Sequence, residues 1–173
     1  MIEIKQVSFT YDNATNGTAI RDINVQIPKG QIVLLCGESG SGKTTFSRLI
    51  NGLIPAYYDG DLNGRVMVSQ KDTSKVELHE LAPFIGSVFQ NPKSQFYTLI
   101  VFACENIGME KPDILCRFNS TVDSLHIEKL LGKSLFALSG GEKQKIACAS
   151  VNALMPDVFV LDEPTSNLDI GTI

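Results

Sequence analysis

Much of what this sequence lacks narrows its function. It carries 15 basic against 19 acidic residues, a net charge of −4, so it has no basic excess of the kind a nucleic-acid binder displays. No apolar run approaches the ~18 residues that a membrane-spanning helix needs. The opening Met1-Ile2-Glu3-Ile4-Lys5 has no basic segment followed by an apolar one, so it does not read as a signal peptide. The four cysteines, Cys36, Cys104, Cys116 and Cys148, form no C-x-x-C pair. Neither a zinc site nor a dithiol redox motif is indicated, and free thiols are expected. There is no internal repeat and no low-complexity tract. What remains, 173 residues with 43% hydrophobic and 20% charged content, suits one globular domain with a substantial core.

The strongest positive signal is Gly37-Glu38-Ser39-Gly40-Ser41-Gly42-Lys43-Thr44, which fits the phosphate-binding pattern G-x-x-x-x-G-K-[ST]. Its glycines let backbone N–H groups turn inward on phosphate oxygens. Lys43 brings a compact cation to the β- and γ-phosphates, and the Thr44 hydroxyl can ligate Mg²⁺. The context is that of strand, loop and helix. Gln31-Ile32-Val33-Leu34-Leu35-Cys36 reads as a buried parallel strand. Phe46, Leu49, Ile50 and Leu53 recur at helical spacing from Thr45 onward, placing an anion at a helix N-terminus. Gly37, Glu38, Ser39, Gly40, Ser41, Gly42, Lys43, Thr44 and Thr45 are the resulting nucleotide-contacting candidates. No Asn-Lys-x-Asp motif occurs, which disfavours guanine nucleotides.

A second signal is Val158-Phe159-Val160-Leu161-Asp162-Glu163. Four apolar residues ending in two acids place carboxylates at the C-terminal edge of a buried strand, where α/β sheets bind ligands. Asp162 can hold the hydration shell of Mg²⁺, and Glu163 can take a proton from an attacking water. The third is Leu138-Ser139-Gly140-Gly141-Glu142-Lys143-Gln144. Ser139-x-x-Glu142 is a capping box at the start of a helix running to about Leu154. The same helix end, with two glycines and a hydroxyl, is a phosphate site. A chain with one P-loop has no need of a second, unless this one serves a nucleotide held by another subunit.

Elsewhere the patterns are plainer. Ile2, Ile4, Val7 and Phe9 alternate with one slip near Gln6, predicting a strand with a bulge. Asp12 to Gly17 is a turn by composition. Ile23, Val25 and Ile27 mark a half-exposed strand, Val66 and Val68 another, and Ile85 to Gln90 a buried one. The opening strands read as antiparallel, and Pro55 to Asp61 as an irregular loop. Thr98–Ile107 and Val122–Leu131 read as helices, with a loop around Pro112 between them. His79 and His126 read as exposed helix residues.

Taken in order, the P-loop, Gln90, Leu-Ser-Gly-Gly, Val-Leu-Asp-Glu and Ser166-Asn167-Leu168-Asp169 resemble an ABC-transporter ATPase subunit over essentially the whole chain. The resemblance implies an α/β fold: a P-loop NTPase sheet with antiparallel N-terminal strands and an inserted helical subdomain. Residues 1–90 and 138–173 would form the core and 91–137 the helical part. It implies ATP and Mg²⁺ as cofactors, with Thr44, Gln90 and Asp162 toward the metal and Glu163 and Gln90 as catalytic. Gln90 would also sense a transmembrane partner. Ser139, Gly140 and Gly141 would close on the γ-phosphate of an opposing ATPase subunit, identical or different. Asp169 would link the two sites, and Tyr11 would stack on adenine.

The stretches Asn51-Gly52-Leu53-Ile54-Pro55 and Val88-Phe89-Gln90-Asn91-Pro92-Lys93-Ser94-Gln95-Phe96 are similar to energy-coupling-factor ATPases, which energise uptake of vitamins or metal ions. Asn91 stands where that group often has an acid. The family carries a further histidine on the γ-phosphate, after one more strand. Both histidines here precede Glu163, so the sequence reads as an ATPase domain lacking its C-terminal part, with little turnover of its own. The implied setting is the cytoplasmic face of a membrane, without insertion into it. The alternatives are a nucleotide-binding module without turnover and a soluble ABC-type ATPase of repair or translation.

Overall fold

The computed structural model describes residues 1–12, 17, 19–88, 100–131, 133 and 137–164. They divide between two compact units, Met1–Ile85 and Gly86–Ile173.

In the first unit, β1 (Ile2–Tyr11) is the hub of an antiparallel sheet. It pairs on one side with β2 (Ile20–Ile27) and on the other with β3 (Gly60–Val68), and β3 pairs in turn with the two-residue β4 (Lys71–Asp72). The expected slip in β1 is present. Its register shifts against both neighbours between residues 4 and 8, and Gln6 takes φ 49°. Lys5 and Gln6 are both exposed, whereas Ile2, Ile4, Val7 and Phe9 are all buried. The extra residue therefore keeps four apolar side chains in the core when simple alternation would turn two of them out. Gly64 faces this bulge at φ +90°, and a Cβ there would collide with the carbonyl oxygens of Lys5 and Gln6. Glycine is required by both the angle and the space.

Helix α1 (Lys43–Ile50) packs Leu49 and Ile50 into the core that contains Phe9, Ile54, Val66 and Val68. It is followed by the short turns α2 (Leu53–Ala56) and α3 (Leu78–Leu81). Asp72 is buried at the edge of this unit. Burial alone would raise its pKa, but donors from Ser74, the Arg65 guanidinium at 2.9 Å and the Lys75 charge together hold it below the ordinary carboxylate range.

The segment expected to be a buried parallel strand is neither. Residues 31–38 adopt no regular structure, and Ile32 and Leu34 are 101% and 85% exposed. An apolar run states a preference for burial, but a strand exists only where a neighbour's backbone completes its ladder. Among the described residues none pairs with this one.

The second unit joins β5 (Ile85–Val88) and β6 (Val158–Leu161) in a two-stranded sheet beside three helices. These are α4 (Ile100–Asn106), α5 (Lys111–Leu125) and α6 (Gly140–Asn152). Their shared core is Ile100, Cys104, Ile114, Val122, Ile127, Ala149 and Ala153, with Val88, Ala147 and Val151 closing the side toward β5. Alanines on α6 let the other helices approach it closely.

Helix α5 corrects the sequence reading. It starts at Lys111 and runs through Pro112, where a loop was expected, and stops at Leu125 instead of continuing to Leu131. Proline in the first helical turn costs nothing, because the N–H it lacks would have had no partner there. His126 then turns left-handed (φ 51°) and ends the helix, and one 3₁₀ turn follows at Glu128–Leu130. His126 is thus an exposed cap and not a helix residue, while His79 is exposed within α3. β6 is a strand as expected, but Phe159 and Leu161 remain 44% and 50% exposed, because β5 is its sole partner among the described residues.

All four cysteines are free. Burial pushes the Cys104 thiol up, against the opposing charge of Arg117, and pushes Cys148 up as well. Both are packing residues and poor nucleophiles.

Candidate functional site

The phosphate loop lies wholly in the first unit. Its last glycine, Gly42, is the N-cap of α1 in the left-handed region (φ 93°), and no side chain caps the helix. A Cβ at Gly42 would stand 2.9 Å from the Ala19 carbonyl oxygen, so both angle and space select glycine. Phe46 N–H donates to Gly42 O at 2.8 Å, making the first helical bond. The amides ahead of it have no partner within the helix and carry the positive end of its dipole. Ser41 N–H closes the loop onto Glu38 O at 3.2 Å.

Lys43 is the organising side chain. Its ammonium donates to Gly37 O at 2.9 Å and to Glu38 O at 2.8 Å. An ammonium has three protons. Two of them brace the loop, and the third is available to an anion. The Thr44 side chain is exposed in the first turn of α1, and Thr45 is buried.

Tyr11 enters the same neighbourhood from the end of β1. Its hydroxyl lies 3.1 Å from Thr45 Oγ1 and accepts from Arg48 Nη1 at 3.1 Å. Its ring meets Phe9 edge-on at 4.7 Å and Tyr58 at 6.2 Å. The Arg48 guanidinium lies over the Tyr58 ring, 4.0 Å from its centre. Of the predicted first-unit residues, the structure therefore brings Tyr11 together with Thr45 on the P-loop helix. The Arg48 and Tyr58 partners carried no sequence signal, since nothing in the spacing of residues 11, 45, 48 and 58 marks them as neighbours.

The second unit holds the other two motifs. Ser139 has extended backbone angles, its Oγ accepts from Glu142 N–H at 3.2 Å, and Glu142 accepts from Ser139 N–H at 2.8 Å. The predicted capping box is fully formed. Lys133 adds a contact that the sequence reading missed, its Nζ reaching Glu142 Oε1 at 2.6 Å. The hydrogen bond from Lys133 leads the donors that pull the Glu142 carboxyl down to about 2. Because Ser139 Oγ only accepts within the box, its own proton is left to give. Gly140 is exposed at the helix start and Gly141 half-buried. Further along α6, Gln144 is buried, and its amide nitrogen has no hydrogen-bond partner among the described residues.

Asp162 follows β6, half-buried, and its N–H donates to Val88 O at 3.0 Å. Glu163 comes next, exposed and left-handed at φ 47°. Gln90 and the Ser166–Asp169 stretch lie outside the described residues, as does most of the predicted turn from Asp12 to Gly17. Among the described residues no group of three or more His, Cys, Asp or Glu side chains could hold a metal by itself, and no helix is long and apolar enough to cross a membrane.

Comparison with known proteins agrees with the motifs. A family model described as ABC transporter matches residues 20–166. A Treponema denticola protein named as an ABC transporter ATP-binding protein is 47% identical over all of this chain, which spans 36% of that protein. A Pyrococcus abyssi protein of the same description is 40% identical over 98% of this chain and 62% of its own length. The chain thus spans about a third of the first relative and under two thirds of the second. Among solved structures, cbiO1 from Clostridium perfringens, part of the ABC transporter complex cbiONQ, superposes with a TM-score of 0.82 at 29% identity. The match covers 99% of this chain and 68% of that one. The ATP-binding cassette MJ0796, solved as a dimer in a post-hydrolysis state with ADP and Pi, gives 0.74 at 27% identity over 99% of this chain and 78% of its own.

Proposed function

The chain belongs to the ABC transporter family, whose ligand is ATP with Mg²⁺, and from that premise we propose that it is an ATP-hydrolysing subunit that drives solute transport. The observation that carries the reading is Lys43, braced on the Gly37 and Glu38 carbonyls at the N-terminus of α1 with one proton left for a phosphate. In this reading the loop amides from Gly37 to Thr45 hold the triphosphate, and Lys43 offsets charge on its β- and γ-phosphates. Tyr11 stacks on the base.

The oxygen donors proposed for Mg²⁺ are the Thr44 hydroxyl, the Gln90 amide and the Asp162 carboxylate. Their chemistry suits a hard cation that takes one or two protein ligands beside phosphates and water, and needs no cluster of protein acids. Bound with ATP, the metal supplies charge neutralisation at the phosphates. Glu163 accepts the proton of the attacking water.

Ser139 and the amides of Gly140 and Gly141 are proposed to grip the γ-phosphate of a second ATPase subunit. The free proton of Ser139 Oγ supports that role. A transmembrane subunit is the proposed further partner, on the cytoplasmic side of a membrane. Likeness to cbiO1, part of a transporter complex, and to the dimeric MJ0796 supports both partners. The Asn51–Pro55 and Val88–Phe96 stretches support import of a vitamin or metal ion.

The test is phosphate release from Mg-ATP by a version of the chain extended to the length of its relatives, as wild type and as Glu163→Gln. The amide keeps the size but is a far weaker base. Turnover should fall by about 10²–10⁴ with ATP affinity retained. Turnover within a few-fold of wild type would remove Glu163 from this role.

A further inference from the structure

The proposed chemistry leaves Arg48 without a task, yet its surroundings are unusually specific. It sits one turn beyond Thr45 on α1, so the two side chains share a face. Its Nη1 donates to the Tyr11 hydroxyl at 3.1 Å while its guanidinium lies over Tyr58. The Tyr11 hydroxyl has one proton and two lone pairs. Arg48 can only donate, and the hydroxyl proton remains for exchange with Thr45 Oγ1 at 3.1 Å. The ring is thereby held at both ends. The fully buried Phe9 meets it 4.7 Å from its centre, and Arg48 and Thr45 hold its tip.

From this we propose that Arg48 is a positioning residue for the nucleobase: it fixes the plane of the Tyr11 ring on which the base stacks. The inference rests on the reading of Tyr11 as the base contact. A stacking surface that is already immobile spares the ordering cost that a free side chain would meet on binding. A tyrosine without its tip anchors keeps the same face but must be ordered by the ligand. Arg48 then affects affinity for the base alone, since Lys43 and the loop amides hold the phosphates.

Binding of Mg-ATP and of Mg-tripolyphosphate, which has no base, separates the possibilities by titration calorimetry. Tyr11→Ala is the reference and should weaken ATP about tenfold or more, leaving tripolyphosphate unchanged. Arg48→Met keeps the length of the side chain but has no donor. It should weaken ATP by about 3–10-fold, the scale of one lost hydrogen bond, again without effect on tripolyphosphate. Tyr11→Phe keeps the ring but removes the contacts to both Arg48 and Thr45, so it should lose at least as much as Arg48→Met. The double variant should bind no worse than Tyr11→Phe alone, because that change already cuts the link to Arg48. Arg48→Lys, with a donor of similar reach, should recover part of the loss.

If Tyr11→Ala binds ATP as wild type does, the base-stacking reading itself fails. If Tyr11→Ala loses affinity while Arg48→Met and Tyr11→Phe do not, the role given to Arg48 is wrong and the stacking reading stands. Equal losses for ATP and tripolyphosphate in Arg48→Met would show that Arg48 supports the phosphate loop, which also overturns the proposal.

Discussion

Replacing Lys43 by alanine should separate ligand binding from folding more cleanly than any other change in this protein. Two of the three ammonium protons are committed to Gly37 O at 2.9 Å and Glu38 O at 2.8 Å, so one proton faces the ligand. A hydrogen bond from a charged donor contributes about 1.5–3 kcal/mol. At 1.4 kcal/mol per decade, Lys43→Ala should therefore weaken ATP binding by about 10–150-fold. The cost to folding is of a different order. Gly37 and Glu38 are exposed, so water takes over their carbonyls when the ammonium leaves, and stability should change by no more than about 0.5 kcal/mol. Lys43→Arg should not rescue binding, because a planar fork cannot reproduce three tetrahedral protons in so tight a loop. Calorimetric titration with Mg-ATP gives the affinity, and thermal unfolding monitored by circular dichroism gives the stability. Unchanged affinity would refute the role assigned to the third proton. A large fall in the unfolding midpoint would show instead that the lysine is chiefly a brace for the loop.

Two further outcomes follow from the second unit. Gly86→Ala would place a methyl against Val151 Cγ1 and 2.8 Å from Pro156 Cγ. Chemical denaturation should show a loss of about 1–3 kcal/mol from overpacking. Val151→Ala in the same chain should recover part of it, and additive losses would contradict the collision. Glu142, held at about 2 against an ordinary 4.5, has its carboxylate favoured by the folded state. Its contribution is complete above the ordinary value and is lost as pH falls from there through about 2. Titration of its side-chain carboxyl by NMR should give a midpoint near 2 that rises in Lys133→Ala. An unmoved midpoint would remove Lys133 as the leading cause.

The parts of this molecule that could be read from the sequence are those whose cause is local. The capping box needs two residues three apart, and it is present. The bulge in β1 announces itself because two exposed residues interrupt four buried ones within eight positions. The P-loop helix follows from glycine at its cap and apolar side chains at helical spacing. What could not be read depends on distant partners. Ile32 to Leu35 have the composition of a buried strand, but whether a ladder forms is decided by backbone elsewhere in the chain. Pro112 suggested a break, because proline disrupts a helix interior yet suits its first turn, and position within the helix is set by where Lys111 begins it. The contacts of Tyr11 with Thr45 and Arg48 span 34 and 37 residues, and no periodicity links such positions. The same holds for Lys133 and Glu142, nine residues apart.

The bulge at Gln6 also sets the parity of everything after it. Ahead of it the inward side chains are even-numbered, Ile2 and Ile4. Beyond it they are odd, Val7 and Phe9, and Tyr11 continues the odd series. Tyr11 can therefore meet Thr45 and Arg48 only because the strand has skipped one beat five residues earlier. Gln6 itself is exposed, and Gly64 gives the skipped beat room. The aromatic surface proposed for the base is thus addressed by a counting rule, in which one residue gained or lost in β1 would turn the tyrosine to the opposite face of the sheet.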